Sequence, residues 1–400
     1  MSGERGSERI HSVDALRTFL MFAGIFVHAG TVAVPVLHGI IYTSSLFRME
    51  GFFLLSGFFA AMSLARTPAH EFIAKRMPGM LVPLLVVLPL NFVVLWLVGA
   101  YAEARTAAFP DVDLGPLPHA WHLHLWFLIV LAGFAASAPY LNPLAARAAP
   151  FLARARVAPI TLAIALLVAM EVCARASVEA MALVWPGVEA EWLIVAQFIY
   201  LPFYMLGMLA WHHQSLRDTL IAPSGRAAAT WSLVAAVAFA LVISGLLPGP
   251  VRVLTENVFG VAVIGVLSYG FKIVVRRRTP FLAFLSESVF TAYLLHFACI
   301  WVVLAALGGV FESYWPIYAV AVVAGFAAPL LVHAYGVRRS NVIGFLLNGR
   351  RPKGAEAPAF LRPGRARLAD SGVLGIDLQV EDRAAPVGAL RVGLDREAAG

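Results

Sequence analysis

The chain has 400 residues, is 60% hydrophobic and only 13% charged, and has a mean hydropathy of +0.81. Soluble proteins carry about a quarter charged residues, so this balance excludes an ordinary soluble domain and predicts an all-α polytopic membrane protein. The net charge of +7 is read as membrane topology and not as a nucleic-acid footprint, and the two cysteines, Cys173 and Cys299, form no metal spacing or disulfide framework.

In chain order, the arm MSGERGSERIHSVDALR leads into an apolar run with no small-residue cleavage site, and is expected to precede a retained first span. Runs of about 20 mostly apolar residues predict ten spans, at 13–32, 46–65, 79–100, 122–141, 157–174, 191–211, 228–247, 253–275, 282–306 and 315–336. Pro and Gly interrupt several of them, which membrane helices tolerate. Basic residues cluster in alternate loops: Arg5 and Arg9; Arg66, Lys75 and Arg76; Arg147, Arg154 and Arg156; Arg217 and Arg226; Lys272, Arg276, Arg277 and Arg278; Arg338 and Arg339. The opposite loops hold Arg105, Arg175 and Arg252 with the acids Asp111, Asp113, Glu179, Glu189 and Glu312. Cytoplasmic loops are the basic ones, so both termini are expected in the cytoplasm. Residues 1–345 are assigned to one transmembrane domain. Residues 346–400, rich in Ala, Gly, Pro and charge, are assigned to a mostly disordered cytoplasmic tail.

The first span, LRTFLMFAGIFVH at 16–28, carries Arg17 and His28. Eleven residues at 100° each bring the two to within about 20° of one helix face, about 16 Å apart along the axis. Ionisable residues inside a span are costly and usually face the protein interior. Each also has a plain structural role open to it: Arg17 as an interfacial anchor beside Asp14, His28 as a hydrogen-bonded interfacial side chain. The second span, FRMEGFFLLSGFFAAM at 47–62, places Arg48 and Glu50 near its outer end, at a depth similar to His28. Its Ser56–Gly57 step suits close helix approach.

Three further constellations stand out. HAWHLHLWF, 119–127, holds His119, His122 and His124; helical geometry spreads the three, so an interfacial band with Trp121 and Trp126 is expected and not a metal site. His213 and Asp218 make an H-x4-D pair in a loop, without a matching second motif, and are read as coincidence. SESVFTAYLLHF, 286–297, brings Tyr293 and His296 to neighbouring positions on a helix and places Glu287 nearby. Ser56 lacks a nucleophile-elbow context, so a serine acyl-enzyme is not expected.

Arg17 and His28 in the first span, SGF in the second, HLWFL at 124–128 and YLLHF at 293–297 together resemble the acyltransferase-3 family of integral membrane acyltransferases. The resemblance covers about residues 9–340, and FRMEGFFLLSGFF and HLWFL look like the branch that modifies periplasmic glucans. It implies an O-acyltransferase of the bacterial inner membrane. That enzyme would move a succinyl or acetyl group from a cytoplasmic acyl-CoA-type donor to a hydroxyl of a periplasmic or cell-surface carbohydrate. It implies no bound cofactor and no metal, and its partners would be donor, acceptor, bilayer and glycan-synthesis proteins, with no nucleic acid. Carried onto this chain, the resemblance makes His28 the catalytic base, with Glu50 as a second catalytic residue, and gives Arg17 the anionic donor. Arg48, Arg76, His124, Trp126, Tyr293 and His296 would be substrate-binding. One departure is clear: the family places two arginines three residues apart at the start of the third span, and FIAKRMPGML offers Arg76 but then Gly79. From the residues alone a transporter, with Arg17, His28 and Glu50 lining a polar pathway, or a structural partner of a glycan-synthesis enzyme, stays open.

Overall fold

Long apolar stretches with their polar groups spent on helical hydrogen bonds are what a bilayer permits, and the chain folds accordingly. The structure, a computed structural model, describes residues 2–30, 35–105, 122–188, 191–277, 279–307, 311 and 314–349. The chain divides into two units, Met1–Ala355 and Glu356–Gly400. The second unit lies outside the described residues, as does the expected tail beyond Gly349.

In order, the helices are α1 (Ser2–Ala29), α2 (Pro35–Leu64), α3 (Ala69–Arg105), α4 (Trp126–Arg154), α5 (Pro159–Val184), α6 (Trp192–His212), α7 (Gln214–Leu220), α8 (Gly225–Ile243), α9 (Gly249–Val274), α10 (Pro280–Leu307), α11 (Tyr314–Leu331) and α12 (Asn341–Asn348). A 3-10 turn, Leu123–Leu125, precedes α4, and α11 runs on as a π-helical turn, Val332–Val337. Among the described residues, ten helices are long and apolar enough to cross a membrane, and they follow the ten expected spans in order. Apolar side chains such as Leu85, Trp96, Leu233 and Val323 point outward, as they do towards lipid.

Three departures from the expected spans matter. The helix α2 begins at Pro35, eleven residues before the expected 46. The polar Tyr42-Thr43-Ser44-Ser45 stretch hid this in the hydropathy. Thr43 and Ser45 return their hydroxyls to the helix's own carbonyls at Gly39 (2.8 Å) and Tyr42 (2.7 Å), so they cost the helix little. Arg48 and Glu50 therefore stand thirteen and fifteen residues into α2, not near its end as expected. The expected loop after the fourth span is largely helical, since α4 extends to Arg154 through Pro139, Pro143 and Pro150. Lastly, α7 and α12 are short helices not foreseen. In α7, His213 Nδ1 accepts the Leu216 amide hydrogen at 3.3 Å, which gives that histidine a capping role.

The main core gathers α1, α2, α4, α5, α6, α8 and α9 around Phe53, Phe134, Tyr204 and Trp231. Its tightest seam is between α2 and α6. A Cβ on Gly57 would collide with the Tyr204 carbonyl, and one on Gly207 with the Leu54 carbonyl. Two backbones in direct contact leave no side chain to yield. Overpacking costs about 1–3 kcal/mol even where side chains can move. Gly57→Leu is therefore expected to lower the thermal unfolding midpoint of the detergent-solubilised protein by roughly 5 °C or more, whereas Ser56→Ala leaves it unchanged; differential scanning fluorimetry checks both.

Candidate active site

Three histidines from three distant parts of the chain meet inside the bundle. His28 comes from the last turn of α1, His124 from the 3-10 turn before α4, and His296 from the middle of α10. Ring centroids are 5.2 Å apart for His28–His296, 5.2 Å for His124–His296 and 6.2 Å for His28–His124. Phe297 closes one side, stacked on His124 at 4.6 Å and edge-on to His28 at 5.5 Å. The turn that delivers His124 is strained: Leu123 takes φ +47°, a left-handed conformation that a non-glycine residue adopts at a cost of about 1–3 kcal/mol.

Hydrogen bonds set the tautomers of two of these rings. His296 Nδ1 lies 2.9 Å from the Ala292 carbonyl and 2.8 Å from that of Tyr293. Carbonyls only accept, so Nδ1 carries the hydrogen and neutral His296 keeps its lone pair on Nε2. His124 Nε2 donates to the Tyr293 carbonyl at 3.1 Å, which leaves the His124 lone pair on Nδ1. Tyr293 returns the contact, its hydroxyl donating to the His124 carbonyl at 2.8 Å. His296 Nε2 and His124 Nδ1 are both buried with no hydrogen-bond partner among the described residues. Two lone pairs thus stand unused beside His28.

Below His28 lies Arg48. Its Nη1 is 3.6 Å from where a Cβ of Gly24 would stand, one α1 turn before His28, and it is within charge–charge range of His28 and His296. Glycine at 24 leaves the guanidinium its room. Glu50 faces another way, against Gly260 of α9. Arg48 Nη1 and Glu50 Oε2 are buried without hydrogen-bond partners. Two groups missed from the sequence complete this side. Tyr200 of α6 and Glu171 of α5 lie within charge range of Glu50, and Glu171 is fully buried, 3.5 Å from Arg175 Nε. The signal for Glu171 was available: an acid inside a predicted span with an arginine four residues on. Trp126 stacks on Tyr200 at 5.7 Å.

Three turns before His28, in the middle of α1, Arg17 lies over the Phe59 ring at 5.5 Å with Asp14 at 3.9 Å. Arg76 donates to Ser63 Oγ at 3.3 Å and is within charge range of Arg17. Lys75 instead pairs with Glu71 at 3.1 Å on the exposed face of α3. Gly349, at φ +58°, closes α12 directly against Pro78 and Gly79, where a Cβ on Gly349 would collide with their backbone, while a Cβ on Gly79 would make only an ordinary contact with the Asn348 carbonyl. Two guanidinium groups thus lie within charge range of each other, with Asp14 beside Arg17, a setting for an anion.

The structure therefore brings His28, His124, His296, Tyr293 and Arg48 together, sets Glu50 and Trp126 alongside, and leaves Arg17, with Arg76 of α3 near it, three turns away along α1. His119 and Trp121 lie outside the described residues. Among the described residues, no three His, Cys, Asp or Glu side chains form a group that could hold a metal ion. Cys173 and Cys299 are free.

Comparison with known proteins matches residues 10–334 to the acyltransferase domain family Acyl_transf_3. Among curated proteins the chain is 26% identical over 257 residues to glucans biosynthesis protein C of Salmonella heidelberg and of Salmonella typhi, covering 58% of this chain and 66% of the relative in each case. It is 28% identical over 141 residues to glucans biosynthesis protein C of Shigella dysenteriae, covering 31% of this chain and 37% of the relative. The chain thus spans just under two thirds of the length of the Salmonella relatives. No solved structure matches it.

Proposed function

This chain belongs to the Acyl_transf_3 acyltransferase family, and on that premise we propose that it is an integral membrane O-acyltransferase for a periplasmic or cell-surface carbohydrate. The acyl group is succinyl or acetyl, and the donor is a cytoplasmic acyl-CoA. The observation that carries this is the convergence of His28, His124, His296 and Arg48 from four separate segments into one buried site. The relatives named for glucan biosynthesis support a glucan acceptor.

The basic loops support an arrangement with both termini in the cytoplasm of a bacterial inner membrane. In it Arg17 and Arg76 face the cytoplasm and hold the phosphates of the donor, which guanidinium groups pair with well. His28 then lies towards the periplasm. An imidazole titrates near neutrality and suits a general base. His28 takes the proton of the acceptor hydroxyl, and the oxygen forms a bond to the thioester carbonyl carbon. The guanidinium of Arg48 steadies the resulting oxyanion. When the carbon–sulfur bond breaks, the thiolate leaves and takes up the proton His28 held. Nothing is gained or lost beyond ester and free thiol. His296, its Nδ1 hydrogen tied to α10 carbonyls, offers Nε2 to orient His28, and the Tyr293–His124 pair fixes the opposite wall.

The test is mass spectrometry of periplasmic glycans from cells lacking the gene, with and without the chain restored. Restoration is expected to add a succinyl or acetyl mass increment to glycan that the deletion strain still exports unmodified. Loss of the exported glycan itself in the deletion strain would support transport and overturn transfer.

A further inference from the structure

Beside the histidine cluster runs a ladder of aromatic rings that acyl transfer itself does not use. It starts at Trp192, at the first residue of α6 and 40% exposed. Trp126 lies 5.4 Å from Trp192 and 5.7 Å from Tyr200, the second contact stacked, and Tyr200 stacks in turn on Phe53 at 4.7 Å. At the inner end of the ladder are Glu171 and Glu50. Both oxygens of Glu171, Glu50 Oε2 and Arg48 Nη1 are fully enclosed and make no hydrogen bond among the described residues.

We propose that Trp192, Trp126 and Tyr200, with Glu171 and Glu50, form the subsite that holds a pyranose ring of the acceptor. This rests on the transfer reading above. Charge balance decides the ligand class. Glu50 and Glu171 oppose a phosphate or other anion, and Arg48 and Arg175 oppose a cation. Two acids against two bases leave the site near neutral yet with unused acceptors on Glu171 and Glu50 and unused donors on Arg48 and Arg175. A neutral polyhydroxyl compound answers that: its hydroxyls donate to Glu171 and Glu50 and accept from Arg48. Its C–H faces lie on aromatic rings, whose combination of apolar face and polar tip suits such ligands. Trp192 is the exposed rung and Glu171 and Glu50 are enclosed, so a sugar enters at Trp192 and parts the Trp126–Tyr200 stack to reach the carboxylates. Phe127 packs against both Trp126 and Tyr293, and Tyr293 against His124 and His296, so the ladder adjoins the histidine cluster. Because α1 ends and α6 begins on the same side of the bundle by helix order, ladder mouth and His28 share one face.

The experiment uses the full chain in nanodiscs, gluco-oligosaccharides of defined length as the probe and succinyl-CoA and acetyl-CoA as donors. Two quantities are read: calorimetric binding of the oligosaccharide without donor, and transfer kinetics. Trp192→Ala and Glu171→Gln are each expected to weaken oligosaccharide binding and raise the acceptor KM by about tenfold or more, with the donor KM and kcat held within about twofold. Trp192→Phe keeps most of the binding. If the wild type transfers but neither variant moves the acceptor KM, the ladder is an interfacial aromatic band, and this proposal falls while the transfer reading stands. If the wild type binds oligosaccharide through these residues but never acylates it, the subsite stands and the transfer reading falls. Trp192 is exposed, so its variant is informative even where Glu171→Gln folds poorly.

Discussion

His28→Ala is expected to lower kcat for acyl transfer by about a hundredfold to ten-thousandfold, the range for removal of a general base. Donor binding is expected to persist, since Arg17, with Arg76 near it, lies three turns from His28 along α1. The control is built into the packing: His28 sits among His124, His296 and Phe297, and none of these anchors the helix seam at Gly57 and Gly207. The variant should therefore express and purify like the wild type. Added imidazole should restore part of the rate, because the cavity left by the side chain has the shape of the missing ring. Measured transfer with retained donor binding checks the first point, and the imidazole titration the second. Full activity in His28→Ala would return the residue to a packing role.

The second large effect is expected at Arg48. Replacement by methionine keeps the volume and removes the charge. If the guanidinium steadies the oxyanion, kcat falls by about a hundredfold to a thousandfold, while the donor KM changes little. Lysine at the same position should recover only part of the loss, because a single ammonium does not reproduce the planar guanidinium fork. Groups that act as a unit do not contribute additively, so combining Arg48→Met with His28→Ala is expected to cost little more than the worse of the two. Single-turnover measurement with radiolabelled donor separates these terms. Were Arg48→Met to raise the donor KM and leave kcat alone, the residue would bind donor and not the oxyanion.

Much of this molecule was legible in its sequence because a bilayer constrains so strongly. Ten apolar runs became ten long helices in the expected order. The eleven-residue separation placed Arg17 and His28 on one helix, and the structure has both on α1. The Ser56–Gly57 step marked a real backbone contact. What stayed hidden has definite causes. Hydropathy misjudged the start of α2, since hydroxyls that bond to their own helix look polar to a scale but not to a membrane, and this placed Arg48 and Glu50 too close to the rim. His124 was noticed as one of three neighbours in HAWHLHLWF, although its partners lie on α1 and α10. The turn at Leu123 that separates it from His122 has no signature in residue type. Glu171 and Tyr200 were passed over because each is a single polar residue in an apolar run, and only the packing of α5 and α6 against α2 reveals what they share.

The rise from Arg17 to His28, about 16 Å along α1, makes the helix a ruler. A donor gripped by its phosphates at one end delivers its carbonyl to the base at the other only if the arm between them matches that length. A short thioester without phosphates can reach His28 but has nothing to hold it. A shortened arm bearing phosphates would be held but fall short. On the proposed reading, the same helix would select its donor by length as well as by charge, a discrimination that pocket shape alone does not provide.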